Sequence, residues 1–380
     1  MGMRLALLGA DVESLRLAEA ALAAGHEISW PVDAAGAEPA QTSPGPPPSD
    51  SWEDLLDSET ADAVIVGHGP GGDEFRARQV QDLVRLDRPI LVTFPLISSV
   101  LTYFEIDMAR TESGAIVQHF NPLVEAPALT DAADWVAEGH PDFGAVEQIN
   151  CTRLLADRSR ELVLWHFARD VEMLGRVAGR LNRIGAHAGA GGDETSYAAL
   201  SVQLLGASEI PVRWSVESPA DAEGMSLTLV CQRGRITFDF DASGRLVNPV
   251  PAEQSLEADA IERFVAAVES NDSATSTWLD ALHAMELTDS IEISLRRGRM
   301  IDIHHQQLTE HLAFKGTMAA AGCGLLFFLL PFLLAIGWLA GQFGVPIGQF
   351  VPHLLLGLLA IFLGMQFLPK LLYREPPAKS

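Results

Sequence analysis

The chain has 380 residues, 48% of them apolar and 20% charged, which leaves room for two globular domains and more. Its formal net charge of −24 repels phosphate backbones and argues against nucleic acid as a partner. The three cysteines, Cys151, Cys231 and Cys323, are far apart and show no disulfide or metal-binding spacing, as expected of a reducing compartment.

Arg4–Gly9 is an apolar run ending in glycine. Leu5–Ala10 is too short for the apolar core of a signal peptide, and Asp11 and Glu13 follow at once. Over Asp11–Ala24, Leu15, Ala18 and Leu22 fall at helical spacing, and Gly25 is a natural stop. Ile28–Val32 reads as a second strand, which makes a β-α-β opening of Rossmann type. The dinucleotide fingerprint G-x-G-x-x-G would start at Gly9, but the run is Gly9, Ala10, Asp11, Val12, Glu13, Ser14. Only the first glycine is there. A carboxylate at Asp11 stands where a backbone should approach a pyrophosphate; the other reading is an acidic cap on the helix. Asp33, near the end of the second strand, suits ribose hydroxyls or a simple turn. Residues 34–50 hold five prolines and read as a flexible or polyproline-like insertion before a short helix at Trp52–Leu56.

Ala63–Leu96 is the organising unit. Two β-branched runs, Ala63–Val66 and Pro89–Val92, flank a polar helical segment, and the length suits a right-handed crossover between parallel strands. The strand ends, Gly67–Gly72 and Thr93–Leu96, are the places to look for chemistry. His68 lies in the first, where the glycines offer backbone N–H groups to an anion or form a plain turn. A helix capped by Ser98 or Ser99 and stopped by Gly114 leads to a strand at Ile116–Phe120, and Asn121-Pro122 marks a boundary.

Beyond it, strands alternate cleanly, Val212, Trp214 and Val216 against Arg213, Ser215 and Glu217, and Ile236, Phe238 and Phe240 against Thr237, Asp239 and Asp241. This predicts a mixed or antiparallel sheet with one covered face. Helices are expected over Leu162–Gly179, around Ile261, Phe264 and Val265, and around Trp278, Leu282 and Met285. Residues 316–369 contain no Asp, Glu, Lys or Arg. Two spans, 317–340 and 350–368, each reach the ~20 residues that cross a bilayer. Lys315, Lys370, Arg374 and Lys379 would hold both ends and the head in the cytoplasm, giving a multi-pass inner-membrane protein with the lipid bilayer as partner. The small-residue pairs Gly337/Gly341 and Gly357/Gly364 suit close packing of the hairpin, and His353 suits its interface.

Taken together, the strand ending in Gly9, TADAVIVGHGP, RPILVTFPL, AIVQHFNP, LWHFARDVEMLGRVAG and ALHAMELTDSIEISLRRGRMIDI resemble the glucose–fructose oxidoreductase / inositol dehydrogenase / MocA (Gfo/Idh/MocA) family over roughly residues 3–303. The resemblance implies an α/β Rossmann-type parallel sheet (1–121), then an α+β domain with an open mixed sheet (122–305), here followed by the hairpin segment (306–380). It implies NAD or NADP as cofactor, with Gly9, Asp33, Gly67, His68 and Pro95 at the cofactor, and a homo-oligomer or substrate contact through the open sheet face. His166 and Asp170 match the family's His-x-x-x-Asp helix and are the catalytic candidates. The departures are specific. The family's catalytic lysine falls on Phe94, and the acid expected four residues before the histidine falls on Leu162, next to Glu161. A hydride transfer from an alcohol needs a base at the hydroxyl and a docked nicotinamide.

No metal site is expected, since His304 and His311 are too far apart for one ion, and Gly189–Gly192 with Asp193 and Glu194 reads as a loop. Three functions follow. The favoured one is a dehydrogenase-like fold without hydride transfer, serving as a ligand-binding or scaffold protein. The others are an active NAD(P)-dependent oxidoreductase on a sugar or cyclitol, and an assembly subunit.

Overall fold

The computed structural model describes residues 2–32, 51–57, 60–69, 71–189, 195–249, 255–273, 277–303 and 342. The apolar runs of the first third form five short strands: β1 (Arg4–Leu8), β2 (Glu27–Val32), β3 (Ala63–Val66), β4 (Ile90–Thr93) and β5 (Val117–Phe120). All pair in parallel, in the order β2-β1-β3-β4-β5. β3 and β4 are buried along their whole length, which is why they read as unbroken Val/Ile/Leu runs. The crossover helices are α1 (Val12–Ala23), α2 (Gly72–Arg85) and α3 (Val100–Ser113). From β1 the chain goes first to β2 on one side and then to β3 on the other, so a crevice opens between the carboxyl ends of β1 and β3. Ser99 caps α3, its hydroxyl accepting from the Thr102 N–H at 3.4 Å. Ser98 is tied instead to Asp73, through its N–H at 2.8 Å and its hydroxyl at 2.6 Å. Gly114 ends α3 at φ +82°, where a side chain would be strained.

Two short helices, α4 (Pro122–Glu125) and α5 (Ala128–Glu138), lead into an eight-stranded sheet. Its strands are β6 (Val146–Leu154), β7 (Leu181–Ala188), β8 (Leu200–Gly206), β9 (Val212–Glu217), β10 (Gly224–Cys231), β11 (Gly234–Asp241), β12 (Leu246–Asn248) and β13 (Ile301–Asp302). The order is β12-β11-β10-β6-β9-β8-β7-β13, antiparallel except where β6 meets β9. α6 (Arg160–Ala178) and α8 (Trp278–Arg297) lie against one face. The alternation of Val212, Trp214 and Val216 marks that covered face, and the Trp214 ring meets Phe167 of α6 edge-on at 5.1 Å.

α7 (Leu256–Ser270) does not join the second sheet. It returns to the first, where Leu256, Ile261 and Phe264 pack with Leu5, Leu7, Leu17 and Leu91. On the other side of the first sheet, Leu8, Val66, Val92 and Val117 belong to a core that runs on without a break into Ile149, Phe167 and Trp214.

The expectation of a multi-pass membrane protein is corrected. Among the described residues no helix is long and apolar enough to cross a membrane. The longest are amphipathic and charged: α8 carries Asp280, Glu286, Asp289 and Glu292, and α6 carries Arg169, Asp170, Glu172 and Arg176. The segments 317–340 and 350–368, with their glycine pairs and His353, lie outside the described residues.

Inside the second core sits an ion pair between Arg153 of β6 and Asp170 of α6, whose side chains are 2% and 0% exposed. Asp170 Oδ2 accepts from Arg153 Nε at 3.0 Å and from the Trp214 indole at 2.8 Å. Removing one partner leaves the other charge buried and uncompensated. Asp170→Ala should therefore lower stability by about 3–5 kcal/mol in urea unfolding, and Arg153→Met in the same chain should recover most of that loss.

Candidate active-site crevice

Gly9 leaves β1 at φ +81°. A Cβ there would lie 2.5 Å from the carbonyl oxygens of both Gly67 and His68, so the loops after β1 and β3 touch backbone to backbone. This accounts for the one surviving fingerprint glycine.

Asp11 then caps α1. Its Oδ1 accepts from the Ser14 N–H at 2.7 Å, and the Ser14 hydroxyl accepts from the Asp11 N–H at 3.0 Å, a closed capping box. Its Oδ2 accepts from the His68 N–H and from the Thr93 hydroxyl, both at 2.8 Å. One carboxylate thus joins α1, the β3 loop and the end of β4. A Cβ on Gly67 would come within 2.4 Å of Ser14 Oγ and 2.8 Å of Asp11 Oδ2. The helix start is therefore packed straight onto the β3 loop.

These residues do not fit the diphosphate of a dinucleotide in the place the fold provides. N–H groups that would hold it already serve Asp11. A phosphate oxygen brought within about 4 Å of that carboxylate meets about 4 kcal/mol of repulsion at an effective dielectric near 20, roughly a thousandfold in affinity.

Side chains from α6 close over the crevice. Arg169 pairs with Glu13 at 2.6 Å and lies over the Trp165 ring at 4.7 Å. The Trp165 indole N–H and His68 Nε2 both donate to the Pro95 carbonyl, at 3.3 and 3.0 Å. Burial raises the Glu13 pKa, Arg169 opposes the rise, and the neighbouring Asp11 adds to it. Gly67, His68 and Pro95 lie together at the crevice, as partners of one another and of Asp11 and Trp165. Asp33, residues 190–194 and His304, His305 and His311 lie outside the described residues. Among the described residues no cluster of His, Cys, Asp or Glu could hold a metal ion.

The two expected catalytic residues have separate surroundings. Asp170 is engaged by Arg153 and Trp214 in the core. The His166 ring stands edge-on to Trp165 at 4.8 Å. Burial, with Arg153 and Arg169 nearby, drives its pKa down to about 2, so it stays neutral. Phe94 is 1% exposed, with its ring 6.2 Å from Tyr103 and 5.2 Å from His119. The position matched to the family lysine is a core position here.

The sequence reading missed a buried polar network next to Phe94. His119 Nε2 meets Glu172 Oε1 at 2.5 Å, its Nδ1 meets the Thr277 hydroxyl at 2.8 Å, and Asn121 Nδ2 donates to Glu172 Oε2 at 2.8 Å. The available signal was two adjacent polar residues, Gln118 and His119, inside an otherwise apolar strand.

No protein-family model matches the chain, and no curated protein matches it. Solved structures do. The myo-inositol dehydrogenase from Corynebacterium glutamicum aligns over 80% of this chain and 99% of its own, with a TM-score of 0.64 at 15% identity. The WlbA dehydrogenase from Bordetella pertussis, in complex with NADH and UDP-GlcNAcA, aligns over 80% and 99% with a TM-score of 0.61 at 15% identity. GenD2 from gentamicin A biosynthesis, in complex with NAD, aligns over 80% and 97% with a TM-score of 0.60 at 18% identity. At these identities the likeness is one of fold: the chain is built as inositol-dehydrogenase-type oxidoreductases are, with a Rossmann-like parallel sheet and a second, mixed sheet.

The depressed His166 pKa has a pH signature. A group whose folded pKa lies below its ordinary value of 6.5 contributes stability that is full above pH 6.5 and is lost as pH falls toward the folded value. Between neutral pH and about pH 4.5, wild type should lose roughly 2–3 kcal/mol more than His166→Gln, measured by urea unfolding across that range.

Proposed function

We propose that this chain is an oxidoreductase-fold protein without hydride transfer, acting as a ligand-binding or scaffold protein. The observation that supports this is the Asp11 carboxylate. It occupies the anion position at the start of α1 and takes up the Ser14 and His68 N–H groups and the Thr93 hydroxyl. Phe94 adds to it, since a benzyl group cannot hold or deprotonate an alcohol. So does the closed mouth, where Glu13, Arg169, Trp165 and Pro95 bond to one another.

The surface we assign to scaffolding is the face of the second sheet turned away from α6 and α8. Thr152, Ser215, Ser226 and Asp239 sit side by side there in register, next to the charges of Arg213 and Glu217. Pairing of two copies across this face would be polar and water-bridged rather than oily.

With NADH or NADPH at about 1 mM, the melting temperature of the wild-type chain should move by less than about 1 °C, and nicotinamide fluorescence should stay at its free value. A saturable rise with either dinucleotide overturns the reading. Asp11→Ala should cost about 1–2 kcal/mol as a lost cap, and more because the His68 N–H and Thr93 hydroxyl lose their acceptor.

A further inference from the structure

A cavity of about 320 Å3 lies at the outer edge of the first sheet, under α7. Leu91, Ala260 and Ala267 make its apolar floor, and Gln118, His119 and Thr277 line it as well. The volume is at the small end of what ligand pockets have.

Three side chains form one hydrogen-bonded chain here. Thr277 Oγ1 is 2.8 Å from His119 Nδ1, and His119 Nε2 is 2.5 Å from Glu172 Oε1. The imidazole and the carboxylate are buried, at 4% and 7% exposure. Asn121 holds the second carboxylate oxygen at 2.8 Å, so the imidazole is aimed. Thr277 is only half-buried. It precedes α8 directly, yet its hydroxyl makes no capping bond to that helix. The hydroxyl accepts instead from the His119 backbone N–H at 3.0 Å, which fixes it in place and leaves a lone pair for attack. The positive end of the α8 dipole lies beside it.

We propose that Thr277 is the nucleophile of a site that cleaves small acyl esters, with His119 as general base and Glu172 as the residue that positions the imidazole. A hydroxyl bonded to an imidazole that is itself held by a carboxylate is recognised by geometry, whatever the fold. In the neutral ring, Nε2–H donates to Glu172 and Nδ1 accepts from the hydroxyl. As Oγ1 bonds to the ester carbonyl carbon, its proton passes to Nδ1. The carbon–oxygen bond to the alcohol then breaks, and the alcohol leaves with that proton, giving acyl-threonine. Water attacks the acyl carbon and gives its proton to Nδ1, and the carboxylic acid departs as Oγ1 takes the proton back. Ester and water become acid and alcohol, with no redox partner. The positive end of the α8 dipole is the feature at hand for the developing oxyanion. The leucine and alanine floor suits a short apolar acyl group.

The charge around the base sets its pH response. Burial works against an imidazolium, but Glu172 outweighs it, and Asp280 and Glu125 add to it, so the His119 pKa is raised above 6.5. Arg263, paired with Glu125 at 2.6 Å, is the cation on the cavity wall. Only the neutral ring can act as base, so the rate should climb with pH through a midpoint above 6.5.

The full chain should hydrolyse p-nitrophenyl acetate above the buffer rate, and a fluorophosphonate should label Thr277, located by peptide mass. Thr277→Val should lose at least about 100-fold in rate and all labelling, while Thr277→Ser keeps both. Glu172→Gln should shift the midpoint of the pH profile downward, which a purely structural bond would not do. Hydrolysis by a folded Thr277→Val at the wild-type rate overturns the proposal. So does a folded wild-type chain that the fluorophosphonate leaves unlabelled at Thr277.

Discussion

The crevice is organised around a negative charge that the protein supplies itself. Asp11 is bonded by a helix N–H, a loop N–H and a strand hydroxyl, and charge-assisted bonds of this kind contribute about 1.5–3 kcal/mol each. Its neighbours follow from it. Position 67 must be glycine because Ser14 and Asp11 press against it. Thr93 must carry a hydroxyl where the strand ends. Glu13, one turn-start away, needs the Arg169 guanidinium to stay charged in a buried place, and Arg169 in turn brings α6 down onto the crevice. In dehydrogenases of this fold an arriving ligand brings the anion. Here a carboxylate of the chain itself takes up those N–H groups and ties α1 to the ends of β3 and β4.

Much of the fold was legible because burial on both faces leaves a plain trace: β3 and β4 are unbroken apolar runs, and the glycines that stop α3 and leave β1 have backbone angles only glycine takes easily. What could not be read were choices made by distant partners. Ser98 and Ser99 both suit a cap, and Asp73 decides between them by bonding Ser98. The apolar stripe of α7 tells which side is greasy, not which sheet it meets. The unsuitable charge at Asp11 was visible, but not that three donors satisfy it.

The candidate site was harder still. His166 and Asp170 sit a turn apart, a spacing that suggests shared work, yet Arg153 claims one and burial neutralises the other. The His119 network joins residues 53 and 158 positions apart, with no local pattern to announce it. Polar residues inside an apolar strand were the one clue. Such residues need partners, and the sequence alone does not say where those partners are.

The return of α7 governs the order in which the molecule can be made. As the chain leaves the ribosome, the first sheet emerges with Leu5, Leu7 and Leu91 covered on that side by α1 alone. The layer that finishes it, Leu256–Ser270, is translated only after nearly all of the second sheet. On that side the first sheet keeps an apolar surface uncovered until α7 has been made, and such a surface is prone to aggregate in the meantime.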